Sequence, residues 1–478
     1  MGLKQQAVKG FVWTSVGTIG YGFLNLLVTI ILANLLTPHD FGVIELLVVF
    51  SGISDIIVDS GFSQAVIRDN KATDEDLSSV FFFNILFACI IYASLFVASP
   101  FIAAFYETPE MVGLSRFVFL TIIFNSFSVI QNANFSRSLN FRPYAIASIV
   151  AIIVSGCTSV ILAYYDWGVW ALATNLVLFS FIRMLMLWVM SSWKPKLCVQ
   201  MSSIKRYFAF GSNLLLLGLL DKIVTNLESL LIGKFYVKQQ LGYFSQGRKL
   251  DSYVIQTSNN VVQKVSYPLL AKIQDDNNRL KSGYRTVMGV TMCCVSPIIA
   301  IMICGAEDIM YGIFGAQWLP ATPYLRLWAI CGWIVTLYSV FNNIFLVQGK
   351  SKLLLRCSLF RQALRILAVI FLVRISILHM MYGIVAVTVI GGLNYVFWGG
   401  RLINYSLFEI AKDLSGIILS VIVASAIALY LSVNIVGTHG LFSLIVLSVN
   451  IITVYTLFMI ITKNLYLKEV LTIIKKEK

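Results

Sequence analysis

The sequence predicts an all-α integral membrane protein with about fourteen transmembrane helices. Of its 478 residues, 58% are hydrophobic and 12% are charged, and the mean hydropathy is +0.84, which leaves too little polar surface for a soluble globule. The apolar residues run without strict alternation over segments of roughly 20 residues, the length of a helix that crosses a bilayer. Most Lys and Arg residues lie in every second gap between these segments, as the positive-inside rule requires.

The predicted helices follow the apolar segments in chain order. The first segment comes after Lys4 and Lys9 and is too long for the apolar region of a signal peptide, so we expect a retained first helix. With the basic gaps inside, both chain termini are expected in the cytoplasm. The predicted spans cover 11–33, 41–60, 79–100, 114–133, 145–164, 169–190, 209–233, 249–270, 284–304, 324–347, 357–377, 381–403, 414–435 and 441–462.

The distribution of basic residues gives the orientation and one exception to it. The net charge of +14 is spread in small groups beside apolar spans, so we expect a lipid bilayer as the partner of these residues and no nucleic acid. The gap after the seventh span is assigned to the outside, yet it holds Lys234, Lys238, Arg248 and Lys249. Either the topology fails there or an external opening is basic.

Two internal alignments indicate a duplication of the chain. At a shift of 200 residues, Gly42 falls on Gly242, and at a shift of 210 residues, Arg116 falls on Arg326. These matches relate the first helix to the seventh and the fourth to the tenth, as two six-helix bundles require. The predicted domains are an N-terminal bundle over 1–200, a C-terminal bundle over 201–405, and two extra helices with a basic cytoplasmic tail over 406–478.

Acidic residues at membrane depth are candidates for function, because an ionisable group there costs about 2.5 to 3.5 kcal/mol on insertion. We interpret them as sites that couple transport to an ion or balance charge. The alternatives are a position at the inner interface for Asp59 and a structural ion pair for the acids of the seventh span. The candidates are Glu45, Asp55 and Asp59 in the second span, and Asp221 and Glu228 in the seventh.

Basic residues within or near the spans are candidate contacts for a phosphate group. Arg183 is isolated in an apolar run, and a guanidinium binds phosphate bidentately; the alternative is that its side chain extends to the inner interface. Lys222 is the second candidate, with a structural ion pair as its alternative. Arg116 and Arg326 complete the set, because they recur at matched positions of the repeat.

Uncharged polar residues form stripes on the first and eighth predicted helices. Asn25, Gln256 and Asn259 are candidate contacts for a sugar, and hydrogen bonding between helices is the alternative. We expect no catalytic residue, metal site or bound cofactor. The histidines are far apart in sequence, and the chain contains neither a Walker A loop nor a dinucleotide fingerprint.

Several short patterns carry a family resemblance. The segment from Gly61 to Asn84 reads GFSQAVIRDNKATDEDLSSVFFFN, and Thr73 and Asp76 within it have the spacing of a helix-start cap. Further patterns are YDWGVWAL from Tyr165, LLIGKFYVKQQLGYFSQGRKL from Leu230, YPLLAKIQDD from Tyr267 and GIFGAQWLPATPYLRL from Gly312. Over most of its length the chain therefore resembles bacterial polysaccharide and lipopolysaccharide exporters of the Wzx type.

The resemblance implies two six-helix bundles around a central cavity, often followed by two extra helices. It also implies a flippase that moves an undecaprenyl-diphosphate-linked oligosaccharide from the cytoplasmic to the outer leaflet of the bacterial inner membrane. Members often carry Asn-x-Asp at the end of the seventh helix, where this chain has Asn226, Leu227 and Glu228.

The energy source and the partners follow from the same resemblance. A proton gradient, a sodium gradient or the membrane potential is expected to drive transport, and a polysaccharide polymerase with its chain-length machinery is an expected partner. Two other functions stay open. One is an ion-coupled drug or metabolite antiporter of the same fold, and the other is a membrane glycosyltransferase or ligase of the same pathway.

Overall fold

The computed structural model describes residues 3–69, 72–138, 140–271, 276–432 and 440–469, and within these ranges the chain is helical and contains no strand. It also contains a π-helical turn over Met310–Phe314 and a 3-10 helix over Ala316–Ala321. The α-helices are α1 (Leu3–Leu35), α2 (Pro38–Asp59), α3 (Phe62–Arg68), α4 (Asp74–Phe105), α5 (Met111–Val118), α6 (Leu120–Arg137), α7 (Arg142–Tyr164), α8 (Val169–Met190), α9 (Met201–Phe235), α10 (Lys238–Ala271), α11 (Asn277–Cys304), α12 (Ala306–Ile309), α13 (Thr322–Val347), α14 (Ser351–Leu372), α15 (Ile377–Leu402), α16 (Leu407–Leu431) and α17 (Leu441–Ile461).

The prediction of a multi-pass helical membrane protein is confirmed. Within the described ranges, 11 segments are long and apolar enough to cross a membrane, and α5 with α6 forms one of them. Three further long helices, α9, α10 and α14, lie where spans are also predicted, but they are richer in polar and charged residues. The number fourteen therefore stays a prediction. The outer end of a helix is the end that the sequence predicts to face the outside of the membrane. The inner end is the opposite one.

Several helices begin at capping boxes, in which two side chains satisfy backbone N–H groups that the first turn leaves unpaired. The predicted cap at Thr73 and Asp76 is confirmed at the start of α4: the amide of Asp76 donates to the Thr73 hydroxyl, and the amide of Thr73 donates to the Asp76 carboxylate. The same device starts α2 at Thr37 and α16 at Ser406. These short polar sequences fix where the helices begin.

The chain forms two compact units, Met1–Gly242 and Tyr243–Lys478. In the first unit α7 packs against α1 and α8, and α2 packs against α6, α8 and α9. Helix α9, which follows the sixth predicted span, is thus part of the first unit. The predicted bundle boundaries at residues 200 and 405 concern the internal repeat, and they stay predictions.

The first unit contains a close backbone contact between two repeat-matched glycines. A Cβ atom on Gly42 would lie 1.8 Å from the carbonyl oxygen of Lys238, and one on Gly242 would lie 1.9 Å from the carbonyl oxygen of Pro38. Pro38 and Lys238 also correspond under the 200-residue shift, so the contact is reciprocal, as across a local two-fold axis. Only a residue without a side chain fits on either side of this contact.

In the second unit, α11 is tied to α16 at their inner ends. The Lys281 ammonium donates to Glu409 at 2.8 Å, and one turn further on Arg285 donates to both carboxylate oxygens of Asp413, at 2.6 and 2.5 Å. The Tyr405 hydroxyl donates to the same Asp413 carboxylate. Since α16 also packs against α17, this cluster connects the two C-terminal helices to the rest of their unit.

Loss of the Asp413 carboxylate is expected to destabilise the protein. Asp413→Ala removes a bidentate ion pair and should lower stability by about 1.5 to 3 kcal/mol, the range for hydrogen bonds to charged groups. The apparent unfolding temperature of detergent-purified protein measures the effect. Lys412→Ala is the control, because Lys412 is the exposed neighbour on the same helix. Equal unfolding temperatures for both variants would contradict this role of Asp413.

Candidate functional site

The first unit brings together charged side chains from three helices and an amide from a fourth. Asp55 on α2 accepts a hydrogen bond of 3.0 Å from the side-chain amide of Asn125 on α6. Arg183 on α8 and Lys222 on α9 both interact electrostatically with the same carboxylate. We call these four residues the Asp55 cluster. It joins three charged residues that the sequence singled out separately.

Lys222 reaches the cluster because α2 has no side chain at Gly52. A Cβ atom on Gly52 would lie 2.7 Å from Lys222 Cε and 3.0 Å from Nζ, so the lysine side chain lies against the helix backbone at this position. Gly52 precedes Asp55 by three residues and lies on the same helical face. The glycine therefore opens the space through which the lysine approaches the carboxylate.

Arg183 lies beside aromatic rings as well as beside Asp55. The centre of its guanidinium is 5.6 Å from the ring of Tyr144 on α7 and 5.8 Å from the ring of Phe179 on its own helix. Aromatic faces stabilise a cation without neutralising it. The half-buried guanidinium thus lies near both Asp55 and the inner end of α7, and its two predicted roles, a phosphate contact or a side chain that extends to the inner interface, stay predictions.

Two cavities adjoin the cluster. One, of about 220 Å³, is lined by Asp55, Asn125, Asn132 and Arg183 together with neighbouring residues. The other, of about 320 Å³, shares Asp55 and lies on the side of α9. Within the described part of the chain, the side-chain oxygen of Asn132 has no hydrogen-bond partner. An amide oxygen with unused hydrogen-bonding capacity therefore lines the same cavity as Asp55 and Arg183.

Asp59, one turn after Asp55, has a local structural role. Its Oδ1 accepts hydrogen bonds from the backbone amide of Ser63 at 3.1 Å and from the Ser63 hydroxyl at 2.5 Å. Ser63 lies in the first turn of α3, where backbone N–H groups lack helical partners. Asp59 thus stabilises the start of α3, although it also lines both cavities. Its proposed part in charge balance stays a prediction.

The remaining candidates of the first unit lie outside the Asp55 cluster. Glu228 on α9 is fully buried, and the hydroxyl of the adjacent Ser229 donates to Glu45 on α2 at 3.1 Å. Asp221 is exposed on another face of α9. Asn25 on α1 is half-buried. The structure therefore brings only part of the predicted acidic set to the two cations.

The repeat-matched arginines occupy similar positions in their own units. Arg116 donates to the Ser99 hydroxyl on α4 at 3.0 Å, and Arg326 donates to the Ile303 carbonyl on α11 at 3.2 Å and to Glu307 at 3.0 Å. Each arginine ties its helix to the preceding long helix near the outer end. Neither belongs to the Asp55 cluster, and their role in phosphate binding stays a prediction. The side chains of Gln256 and Asn259 lie outside the described residues.

The basic gap that broke the positive-inside pattern includes two lysines at helix ends. Lys238 donates to the carbonyls of Tyr106 and Gly233, each at 2.8 Å, and Lys234 donates to the carbonyl of Phe105 at 2.7 Å. Burial lowers the pKa of Lys238 from its ordinary value and raises the pKa of Tyr106 to about 12. Both lysines thus satisfy carbonyls at helix C-termini, where a cation is favoured.

Asn125 is the member of the cluster that our sequence analysis missed. It is uncharged, so the signal that identifies the other three members, a charge at membrane depth, does not mark it. Asn125 and Asn132 are seven residues apart, which places both amides on one face of the membrane-spanning helix α6. Two amides seven residues apart within a predicted span are a signal that could have identified this position.

A bundle of long apolar helices with charged residues gathered at membrane depth defines a polytopic membrane protein of the transporter class. The family model for polysaccharide biosynthesis proteins matches residues 31–323. This chain belongs to that family.

Curated relatives and solved structures agree with this assignment. The chain is 23% identical to the teichuronic acid biosynthesis protein TuaB of Bacillus subtilis, over 73% of each chain. It is also 23% identical to the succinoglycan biosynthesis transport protein ExoT of Rhizobium meliloti, over 73% of this chain and 70% of that protein. The fold is similar to that of the lipid II flippase MurJ in an inward closed conformation, with a TM-score of 0.75 at 15% identity over 95% of this chain and 99% of MurJ.

Proposed function

We propose that the protein is a flippase for an undecaprenyl-diphosphate-linked oligosaccharide, which it moves from the cytoplasmic to the outer leaflet by alternating access. Membership of the polysaccharide biosynthesis family supports the proposal, as do the similarities to ExoT, a transport protein, and to MurJ, a flippase. The observation that carries it is the convergence of Arg183 and Lys222, two half-buried cations from different helices, on Asp55, which lines a polar cavity together with Arg183.

These two cations match the chemistry of a diphosphate. A guanidinium donates two parallel hydrogen bonds to phosphate oxygens, and an ammonium adds a compact charge that accepts many geometries. The sugar is proposed to contact amides and hydroxyls such as those of Asn125 and Asn132, while the lipid tail stays in the bilayer. Keeping the tail there avoids a cost of about 0.8 kcal/mol for each CH₂ group exposed to water.

The energy source is proposed to be a proton gradient, a sodium gradient or the membrane potential. An anion that leaves a negative cytoplasm gains about 2.3 kcal/mol per charge per 100 mV. Cations of the protein that moved with the cargo would reduce this gain, and acids such as Asp55 are proposed to balance them. We place the protein in the bacterial inner membrane with both termini cytoplasmic, and propose the polysaccharide polymerase and chain-length machinery as partners.

Reconstitution tests the proposal. Proteoliposomes that contain the protein and a fluorescent lipid-linked oligosaccharide should transfer the label between leaflets, measured with a membrane-impermeant quencher. Empty vesicles are the control for spontaneous movement. A cargo with a monophosphate in place of the diphosphate should move more slowly, because it offers fewer oxygens to the two cations.

The same assay separates the alternatives. An antiporter would leave the lipid-linked sugar in its leaflet and would exchange a cationic dye against an imposed ion gradient. A glycosyltransferase or ligase would change the mass of the lipid-linked sugar, which mass spectrometry detects. We propose transport without covalent change, so a cargo of unaltered mass in the opposite leaflet is the expected result.

A further inference from the structure

The Asp55 carboxylate occupies the position at which an anionic cargo would meet the two cations. Arg183 and Lys222 approach it from α8 and α9, and Asn125 on α6 donates to one of its oxygens. Asp59 on the same helix is a further charged group that acts on Asp55. The elements α4 and α5 also pack against α2, and neither supplies one of the three charged groups that act on Asp55 most strongly.

A diphosphate and the Asp55 carboxylate therefore compete for the same cations. If the diphosphate bound to Arg183 and Lys222, their charges would be balanced by the diphosphate. Asp55 would then lie beside an anion and would have no counter-ions of its own. An ionised carboxylate in that position is strongly disfavoured, because it faces a like charge at membrane depth. A proton neutralises it at the lowest cost. Water can deliver that proton, since the adjoining cavities of about 220 and 320 Å³ are large enough for several water molecules.

We propose that Asp55 is an exchangeable counter-ion: it balances the charge of Arg183 and Lys222 before the cargo binds, is replaced in that role by the diphosphate, and takes up a proton in the exchange. The inference rests on the proposed function. The proton adds to one carboxylate oxygen to form a carboxylic acid, and it returns to water when the cargo leaves. Cargo binding and proton binding thus become coupled at one residue.

Asn125 is suited to both states of this exchange. In the structure its amide NH₂ donates to the Asp55 carboxylate. After a half-turn of the amide, its carbonyl oxygen can accept a hydrogen bond from the protonated acid. Asn125 is therefore a positioning residue that keeps Asp55 in place whether or not the proton is present.

Calorimetry on the purified full-length protein in nanodiscs tests the exchange. The probe is a citronellyl-diphosphate-linked glucose, a diester whose diphosphate keeps a fixed charge near neutral pH. Titrations in buffers with different heats of ionisation give the protons taken up per ligand bound. We expect the wild type to take up close to one proton and to bind more tightly as the pH falls.

Asp55→Asn should remove the coupling and keep the two cations. We expect it to take up no proton, to lose the pH dependence, and to bind the probe on the order of tenfold more tightly at alkaline pH, because one like charge is gone. Its flipping rate at saturating cargo should fall, since no carboxylate reclaims the cations. Glu75→Gln, which removes an exposed acid outside the cluster, should retain wild-type proton uptake and affinity.

The outcomes separate this inference from the proposed function. No proton uptake by the wild type, or weaker binding by Asp55→Asn, overturns the exchange alone, and the wild-type measurement decides even where the variant does not fold. Asn125→Leu is a second test of the exchange, because this variant should slow flipping without abolishing binding of the probe. If the wild type does not bind the probe, or if Arg183→Ala and Lys222→Ala bind as well as the wild type, both the cation site and the exchange are wrong.

Discussion

Flipping of a lipid-linked oligosaccharide is expected to fall by about tenfold to a hundredfold in Arg183→Ala and in Lys222→Ala. Each variant loses a charge-assisted contact to the diphosphate, and such contacts contribute about 1.5 to 3 kcal/mol. Arg183→Lys should fall between wild type and alanine, because it keeps the charge and loses the bidentate geometry. Initial rates in proteoliposomes, at several cargo concentrations, measure these effects.

The control for this series is Lys205→Ala. Lys205 lies on α9, as Lys222 does, but it is exposed near the start of the helix and outside the Asp55 cluster. Its removal changes the net charge as much as Lys222→Ala does and should leave the rate near that of the wild type. Undiminished flipping by both cluster variants would show that the cargo binds elsewhere, and would leave the family assignment untouched.

The sequence predicts the fold well because bilayer physics acts on each helix separately. A span needs only length and an apolar composition, and both can be counted along the chain. The helices α9, α10 and α14 show where counting becomes insufficient. They carry polar and charged residues that other helices must shield, and shielding depends on packing that one segment does not specify.

The candidate site, like the fold, is predictable from the sequence only in part. Asp55, Arg183 and Lys222 could each be identified alone, because a charge at membrane depth is costly wherever it lies. Their convergence could not, since it depends on how α2, α8 and α9 are rotated relative to one another. Lys238 shows the converse: it stands out as a basic residue in an outer gap, but its contacts with helix-end carbonyls appear only in the structure.

The glycine contact at the outer end of α2 leads to the second large effect. Gly42→Ala is expected to destabilise the protein by about 2 kcal/mol, and Gly42→Val to prevent its accumulation in folded form. A Cβ atom at Gly42 would lie 1.8 Å from the Lys238 carbonyl oxygen, well inside van der Waals contact, and this backbone atom cannot swing aside as a side chain could. The helices must separate, which would break the reciprocal contact at Gly242 as well.

Gly22→Ala is the matched control, because a Cβ atom on Gly22 of α1 would meet nothing within 4 Å. There the substitution should stabilise the helix by about 0.5 to 1 kcal/mol, since alanine is the better helix former. The two variants change the same atoms in two helices, so any difference in the apparent unfolding temperature reports the backbone contact. Equal temperatures for Gly42→Ala and Gly22→Ala would mean that the helices tolerate separation. In that case the recurrence of glycine at Gly42 and Gly242 would need an explanation other than close packing.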